Sequence, residues 1–262
     1  MTVLTRAART IESELIAYKR TWRGTVFSSF INPVLFLTAM GVGLGSYVDR
    51  GGVDLGVSYL TFIATGLMAA TAMQSGAGDG AHPVMAGIKW RKEFHAVIAT
   101  PMDPRDIVVG RAAWGVIRLT FILLVFTFIG GLFDAFEIRT ALLAIPPAVL
   151  TGIAFQTCVT AFTATLEDST GLTTMFRFVV TPLFLFSGTF YPVSQLPQFL
   201  QWVAYATPLF HGVELVRKIA LPGLSSTAVT ALPVWVHLAY LVVMAAVGTV
   251  LAARFLDRRL RP

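Results

Sequence analysis

Long stretches without acidic or basic residues are the feature of this sequence that most limits how the chain can fold. A helix that crosses the roughly 30 Å hydrocarbon core of a bilayer needs about 20 largely apolar residues. Four stretches meet this requirement directly: 24–48, 55–78, 140–166 and 234–253. The composition agrees, because 55% of the residues are apolar and only 13% are charged, against about 25% charged in an ordinary soluble domain. The sequence therefore predicts an all-α membrane protein.

A fifth predicted span, 107–133, carries charge near one end. Arg111 and Arg118 lie in its first half, and long basic side chains can extend from such positions to the headgroups. We expect these arginines to be solvated at the cytoplasmic end, as we do for the other charges near span ends, Glu167, Asp168 and Arg177. A carboxylate in the middle of a span, the usual mark of a proton or ion path, is missing from the sequence.

The stretch 172–190 is predicted to be the remaining span. It is followed by a proline-interrupted segment, 191–225, which cannot continue as one helix. We expect this external segment to form a re-entrant pair of short helices, near 198–206 and 211–220, since irregular backbone at membrane depth needs protein or water partners. The prediction is a single domain, 1–262, with six transmembrane helices.

The distribution of lysine and arginine predicts the orientation. Of the 20 basic residues, 13 fall on one side of the predicted spans: Arg6, Arg9, Lys19, Arg20, Arg23, Lys89, Arg91, Lys92, Arg105, Arg254, Arg258, Arg259 and Arg261. Four fall on the other side: Arg50, Arg139, Arg217 and Lys218. Because basic residues are enriched in cytoplasmic loops, both termini are predicted to be cytoplasmic. The net charge of +6 is thus a mark of orientation, and no nucleic-acid partner is expected.

Residues 1–23 are predicted to form an amphipathic interfacial helix. At 100° per residue, one face collects the apolar side chains Leu4, Ala8, Ile11, Leu15, Tyr18 and Trp22, with Arg6, Arg9 and Arg20 opposite. Such a helix lies along the inner leaflet, and we expect it to enter the first span at Gly24. A coiled-coil seam is the less favoured alternative, because the apolar stripe stops after three turns.

The cytoplasmic segment 80–106 begins with a basic run at Lys89. The pattern predicts a short amphipathic helix that ends near Thr100, and a second helix that begins near Asp103 with Pro104 in its first turn. Two interpretations stay open from the pattern alone. The short helix either docks into a groove of a partner protein or lies on the membrane surface.

The sequence lacks the motifs of an energy-converting or catalytic site. It contains no GxxxxGK[ST] loop for ATP phosphates, no HExxH and no GxSxG. Cys158 is the single cysteine, which excludes an internal disulfide and a cysteine-based zinc site. His211 and His237 are single histidines, each expected to be packed or solvated. We therefore expect no catalytic residue, metal or cofactor on this chain, and ATP and Mg only on another polypeptide.

Four sequence blocks together resemble the membrane permeases of type-2 ABC exporters. They are ATPMDPRDIVVG at 99–110, LTGIAF at 150–155, TPLFLFSGTFYPVSQLP at 181–197 and TPLFHGVELVR at 207–217. The likeness covers nearly the whole chain, and it is strongest to the branch that contains nodulation lipo-oligosaccharide exporters and daunorubicin-type drug exporters.

The resemblance implies partners and site residues that the pattern alone does not. It implies a cytoplasmic dimer of ABC ATPases, which binds the ATP and Mg, and a second permease subunit that shares the pathway. It places the contact with the ATPase at Arg91, Lys92, Glu93, Phe94 and His95. It places the outer gate of the substrate pathway at Phe184, Phe186, Phe190 and Tyr191.

The expected function is export of an amphipathic molecule, such as a drug, a lipid or a lipid-linked glycan, across a bacterial inner membrane. Apolar and aromatic surfaces suit such substrates because their contacts are adaptable. Two alternatives remain at this point: a proton-coupled secondary carrier, and a membrane scaffold that transports nothing.

Overall fold

The computed structural model describes residues 3–51, 55–222, 224, 230 and 232–261, and these residues form helices and loops without a strand. The α-helices are α1 (Val3–Phe36), α2 (Leu44–Arg50), α3 (Tyr59–Gly80), α4 (His82–Met85), α5 (Glu93–Ile98), α6 (Pro104–Leu132), α7 (Ile138–Leu143), α8 (Ile145–Thr165), α9 (Thr170–Met175), α10 (Thr181–Phe186), α11 (Gln198–Tyr205), α12 (Pro208–Ala220) and α13 (Val234–Leu260). Residues 1, 2, 223, 225 and 262 of the predicted segments lie outside the described residues. The all-α prediction is confirmed for the part described.

Four helices of the described chain are long and apolar enough to cross a bilayer: Trp22–Asp49, Pro104–Leu132, Ile138–Thr165 and Val234–Leu260. They correspond to the predicted spans one, three, four and six. Their outer faces carry large exposed apolar side chains, among them Phe27, Phe128, Trp235 and Val243. Contiguous apolar surface on this scale is typical of a protein that faces lipid or a partner.

Most of the second predicted span, 55–78, lies in α3, which begins at Tyr59. This helix is long enough to cross a bilayer but differs from the other four in composition. Its 22 residues rise about 33 Å, yet many of them are glycine, alanine, serine or threonine. The reason is packing, because α3 is buried between its neighbours. A Cβ added at Gly76 would overlap the carbonyl oxygen of Gly152 on α8, and one at Gly80 would meet the carbonyl oxygen of Gln156. Small residues allow this close approach.

The predicted span 172–190 is helical for a shorter distance than expected. The helix is Thr170–Phe186, in which a π-helical stretch, Phe176–Val180, joins α9 to α10. It ends because Ser187 leaves helical geometry and Gly188 adopts a φ of +84°, which glycine tolerates without steric cost. That α3 and this 17-residue helix also cross the membrane, which would bring the number of spans to six, stays a prediction.

Two short helices follow in the predicted external segment, as the prolines indicated. They are α11 and α12, and the 3₁₀ turn Val193–Gln195 precedes them. The start of α12 is three residues earlier than predicted, because the side chain of Thr207 caps it by accepting a hydrogen bond from the Phe210 N–H (3.4 Å). Their re-entrant placement in a membrane stays a prediction.

The amino-terminal segment differs from the prediction at Gly24. The structure has no break there: α1 runs from Val3 to Phe36 and continues through a π-helical stretch, Leu37–Gly43, into α2. A Cβ at Gly24 would meet nothing within 4 Å, so this glycine is an ordinary helix position and makes no turn. The irregularity comes later, after Pro33, where a proline removes a backbone hydrogen bond.

The core lies around α3 and α8 at the centre of the helices. A second apolar cluster lies at the end that we predict to be cytoplasmic, where α5, α6, α8 and α13 meet; its buried members include Val84, Ile88, Phe94, Ile107, Val108 and Leu256. This second cluster fixes α5 to the ends of two long helices.

Candidate functional site

The predicted coupling residues surround α5, and the structure divides them into surface residues and one anchor. Arg91 and Glu93 form an ion pair of 2.9 Å with 59% and 44% of their side chains exposed, and Lys92 and His95 are exposed as well. Phe94, in contrast, is only 5% exposed. Phe94 therefore anchors α5 in the core of this single chain, and the other four residues are available to a partner.

The connection from α5 to α6 agrees with the prediction. Helix α5 ends at Ile98, and α6 begins at Pro104. Asp103 and Asp106 form a capping box, in which the Asp103 backbone N–H donates to Asp106 Oδ2 (2.9 Å). Arg261, after α13, donates to Asp103 Oδ1 (3.0 Å). A displacement of α5 would therefore reach both α6 and α13.

A charged cleft of about 970 Å³ opens beside α5 between α1, α3, α6 and α8. Its walls carry three acidic and four arginine side chains, with polar and aromatic neighbours: Glu14, Asp79, Glu93, Arg20, Arg91, Arg111, Arg118, Tyr18, Gln74, Ser75, His82, Trp90, Trp114 and Gln156. The cleft joins the amino-terminal helix to the transmembrane helices, and of the site residues predicted from the sequence only Arg91 and Glu93 line it.

Two ion pairs cross this cleft. Arg111 pairs with Glu14 of α1, and Arg118 pairs with Asp79 at the end of α3. Arg111 also donates from Nη2 to the carbonyl oxygen of Asp79 (3.0 Å). Gln156 of α8 donates from Nε2 to the carbonyl oxygen of Arg111 (3.1 Å). Four helices are thus tied together by one polar network.

The expectation that Arg111 and Arg118 are solvated is wrong for the first and only partly right for the second. The Arg111 side chain is 7% exposed and that of Arg118 is 24% exposed. Their spacing of seven residues does place both on one face of α6, which is a usable sequence signal. Their acidic partners lie on other helices, far away along the chain, and no local pattern reveals them. Glu167, Asp168 and Arg177 are exposed, as expected.

Arg217, which we predict to lie on the outer side, has no role assigned from the sequence, and the structure buries it. It is 1% exposed, and its guanidinium carbon lies 3.6 Å from the ring centroid of Phe62 on α3. Nη2 donates to the carbonyl oxygens of Phe62 (3.3 Å) and Thr189 (3.2 Å). Arg217 therefore fastens α12 and the loop after α10 onto α3, and a buried charge is acceptable there because carbonyl oxygens and an aromatic face satisfy it.

Two of the four predicted gate residues lie in contact. The Phe184 ring packs edge to face against the Phe190 ring, with centroids 5.0 Å apart, and also against Phe36 of α1 (5.9 Å). Tyr59 donates a hydrogen bond to the carbonyl oxygen of Phe190 (3.3 Å). Phe186 is 41% exposed and, among the described ring pairs, does not contact the aromatic cluster, which we define as Phe36, Phe184 and Phe190. Tyr191 is half-buried.

A small cavity of about 60 Å³ lies next to the aromatic cluster. Its walls include Phe36 and Phe184, and also Gln74 and Ser75 of α3. Gln74 and Ser75 line the charged cleft as well. A series of spaces thus follows one face of α3 from the charged cleft to the aromatic cluster.

The two histidines that the sequence treats as unrelated form a pair. His211 Nδ1 and His237 Nδ1 are 2.9 Å apart, and the Tyr240 ring stacks on His211 with centroids 4.0 Å apart. The other ring nitrogen of His211 is 3.1 Å from the carbonyl oxygen of Tyr205. In the described part of the chain no group of three or more His, Cys, Asp or Glu side chains converges on a metal site. The histidine pair joins α12 to α13.

Comparison with known families shows the family of this chain. Residues 9–221 match the family described as ABC-2 type transporter, which is most of the chain. The chain belongs to the ABC-2 type transporter family. The matched residues include those that line the charged cleft, the buried Arg217 and every predicted site residue.

Three curated relatives are similar to this chain over most of its length. This ABC-2 chain is 28% identical to nodulation protein J of Rhizobium meliloti (strain 1021) over 94% of the chain and 91% of that relative. It is 29% identical to nodulation protein J of Rhizobium leguminosarum bv. viciae over 93% and 92%. It is 26% identical to the inner membrane transport permease YadH of Escherichia coli (strain K12) over 78% of each.

The family resemblance predicted from the sequence is therefore confirmed. The chain is a membrane permease of the ABC-2 type transporter family. This family match favours neither of the alternatives, the proton-coupled secondary carrier and the membrane scaffold.

Proposed function

We propose that this chain forms half of the pathway of an ATP-driven exporter that moves an amphipathic molecule outward across a bacterial inner membrane. The observation that carries the proposal is the series of spaces along α3. The charged cleft and the cavity at the aromatic cluster share Gln74 and Ser75, so one helix face leads from the predicted cytoplasmic side towards the predicted outer gate.

The energy comes from a dimer of cytoplasmic ATPases on separate polypeptides, which hold the ATP and Mg. They contact the exposed side chains at α5, namely Arg91, Lys92, Glu93 and His95. Closure of the ATPases pushes α5, and the bonds of Asp103 to α6 and to Arg261 pass this movement to two long helices. The helices then exchange between inward-open and outward-open arrangements, a two-state change that ATP binding biases.

A second permease, either an identical copy or a sister chain, completes the pathway. The aromatic cluster with Phe186 and Tyr191 closes its outer end, and α11 and α12 cover it. Phe186 is exposed in the single chain, as expected of a residue that meets the second permease or the substrate. Both termini lie in the cytoplasm, next to the ATPases.

The coupling assignment is tested with the permease and the ATPase encoded beside it, purified together and reconstituted into vesicles. We expect Glu93→Arg to reduce substrate-stimulated ATP hydrolysis at least tenfold, because it replaces a partner-facing carboxylate and breaks the pair with Arg91. Glu137→Arg is the matched control, since Glu137 is an exposed carboxylate on the predicted outer side, and it should leave hydrolysis unchanged.

Three results would contradict the proposal. The first is that no stable complex with the ATPase forms. The second is equal hydrolysis by the wild type and Glu93→Arg. The third is transport that continues without ATP and stops on addition of a proton ionophore, which would instead indicate a secondary carrier.

A further inference from the structure

An apolar groove of about 630 Å³ runs between α1 and α6, next to the charged cleft. Its walls are Leu15, Tyr18, Lys19, Trp22, Trp114, Ile117, Arg118 and Phe121. Three of these residues, Tyr18, Trp114 and Arg118, also line the charged cleft. The two spaces therefore adjoin, one of them apolar and the other charged.

The groove is open at its apolar side. Leu15, Trp22, Ile117 and Phe121 each expose between 42% and 52% of their surface, and Trp22 marks the beginning of the first candidate span. At that depth an exposed apolar surface faces acyl chains and the headgroup boundary. A hydrocarbon chain can therefore enter the groove sideways from the bilayer without passing through water.

The junction between groove and cleft carries an excess of positive charge. Arg111, Arg118 and Arg91 are each paired with a carboxylate. Lys19 lines the groove and Arg20 the cleft, and both are exposed without an ion pair among the described residues. Two uncompensated cations beside an apolar groove are complementary to a molecule with an anionic head and an apolar tail.

We propose that the groove and the cleft form one binding site for an anionic amphiphile of the inner leaflet, with its head at Lys19 and Arg20 and its chain against Trp22, Ile117 and Phe121. This deepens the proposed function, on which it rests for its role, because it names where the exported molecule is loaded and which chemistry it has. The molecule enters between the amino-terminal helix and α6, and its head reaches the series of spaces along α3.

Trp114 offers a direct probe of the site. It lines both spaces but is only 9% exposed, and its ring packs edge to face on Tyr18, with centroids 5.5 Å apart. A chain in the groove comes close to this indole, whereas lipids at the outer perimeter of the protein are kept further away. Quenching of Trp114 therefore reports occupancy of the groove.

The test uses the purified full chain in nanodiscs of phosphatidylcholine, titrated with phosphatidylglycerol that carries brominated acyl chains. The Trp114 signal is the difference in fluorescence between the wild type and Trp114→Phe. We expect it to saturate, at a several-fold lower mole fraction for brominated phosphatidylglycerol than for brominated phosphatidylcholine.

Two variants test where the head binds. Lys19→Gln with Arg20→Gln should raise the midpoint for phosphatidylglycerol roughly tenfold, since each basic residue near a membrane surface contributes a several-fold preference for anionic lipid. Arg254→Gln is the matched control, because it removes an exposed charge from the same predicted side of the membrane, and it should leave the midpoint unchanged. Unaltered helix content and elution volume show that the variants are folded.

Quenching that rises linearly and equally for both lipids would indicate perimeter lipid only and would overturn the proposal. An unchanged midpoint in the Lys19→Gln, Arg20→Gln variant would overturn the placement of the head. These measurements contain no ATP, so they are independent of the proposed export. Saturable binding without ATP-driven transport would reject the exporter function alone, and transport without saturable binding would reject this site alone.

Discussion

The two arginines of α6 illustrate how buried charge is made acceptable in this protein. Arg111 and Arg118 each face a carboxylate from another helix, and hydrogen bonds to the Asp79 carbonyl oxygen and from Gln156 extend the network. A buried charge that loses its partner costs about 3–5 kcal/mol, whereas a complete pair is close to neutral compared with an apolar replacement. The network therefore specifies how α1, α3, α6 and α8 pack.

Removing one member of the pair between Glu14 and Arg111 should be more harmful than removing both. We expect Glu14→Gln to lower the free energy of unfolding by about 3 kcal/mol because Arg111 stays buried without its carboxylate, and the double variant with Arg111→Gln to lose less than the sum of the single changes. Thermal unfolding in nanodiscs measures both.

The exposed pair of Arg9 and Glu12, on the same helix, is the matched control. Its side chains are 67% and 59% exposed, so removal of either should change stability by no more than about 1 kcal/mol. If Glu14→Gln is as mild as Glu12→Gln, the polar network does not fix α1 against α6.

At the scale of single residues, sequence reasoning identified surface positions better than buried charges. Arg91, Glu93 and His95, which the resemblance assigned to a partner contact, lie at the surface, and the contact itself stays a prediction. Sequence reasoning missed the burial of Arg111, since an arginine near a span end is solvated by default and its partners here are distant along the chain. It gave no sign that Arg217 is buried. Phe94, assigned to the same predicted contact, is buried, and its ring packs in the second apolar cluster.

Among the helices, α3 depends most on its small residues. Gly66, Gly76 and Gly80 each lie against the backbone of another segment. This packing explains why α3 is less apolar than its neighbours while it occupies the centre of the structure. Its glycines allow this close approach of the backbones, although glycine in a helix lowers the stability of the helix.

Gly76→Ala should destabilise the protein by about 1–3 kcal/mol, because the new Cβ would overlap the carbonyl oxygen of Gly152 and force α3 and α8 apart. Gly78 is the matched control on the same helix, since a Cβ there would meet nothing within 4 Å, and Gly78→Ala should be neutral or stabilising. Thermal unfolding of the two variants is compared under identical conditions; equal effects would show that the close packing of α3 is not required.

The positions of helices were predictable from sequence wherever a local signal exists. Long apolar stretches located α6, α8 and α13, and Asp103 followed by Pro104 indicated the start of α6. Two of the helix boundaries that differ from the prediction illustrate the physical reasons. Gly24 continues a helix because nothing near it favours a turn, and α10 ends at Phe186 because Gly188 adopts a left-handed conformation that the apolar pattern does not reveal.

For the whole molecule, the arrangement of apolar and polar surfaces agrees with membership of the ABC-2 family. Large apolar side chains cover the outside of the long helices, and the charged residues are collected in the cleft and at the helix ends. The long stretches without charged residues predicted the apolar exterior of these helices. The sequence could not predict the series of spaces along α3, because that depends on side chains from α1, α6, α8 and α10 that meet only in the folded chain.

If the exported molecule passes along α3 from the charged cleft towards the aromatic cluster, as we propose, a bulky group at Ser75 should block its route. Ser75 lines both spaces and is partly exposed. The protein is prepared with Cys158→Ala, so that Ser75→Cys is its single cysteine, and is labelled with a large maleimide before reconstitution with its ATPase. The control carries Ser169→Cys, an exposed position before α9.

The measurement is ATP-dependent transport into inside-out vesicles, before and after labelling. We expect the labelled Ser75→Cys protein to transport at background rate, while the unlabelled protein and the labelled Ser169→Cys control remain active. Full transport by the labelled Ser75→Cys protein would contradict the proposal, because the substrate would then have to cross the membrane by another route.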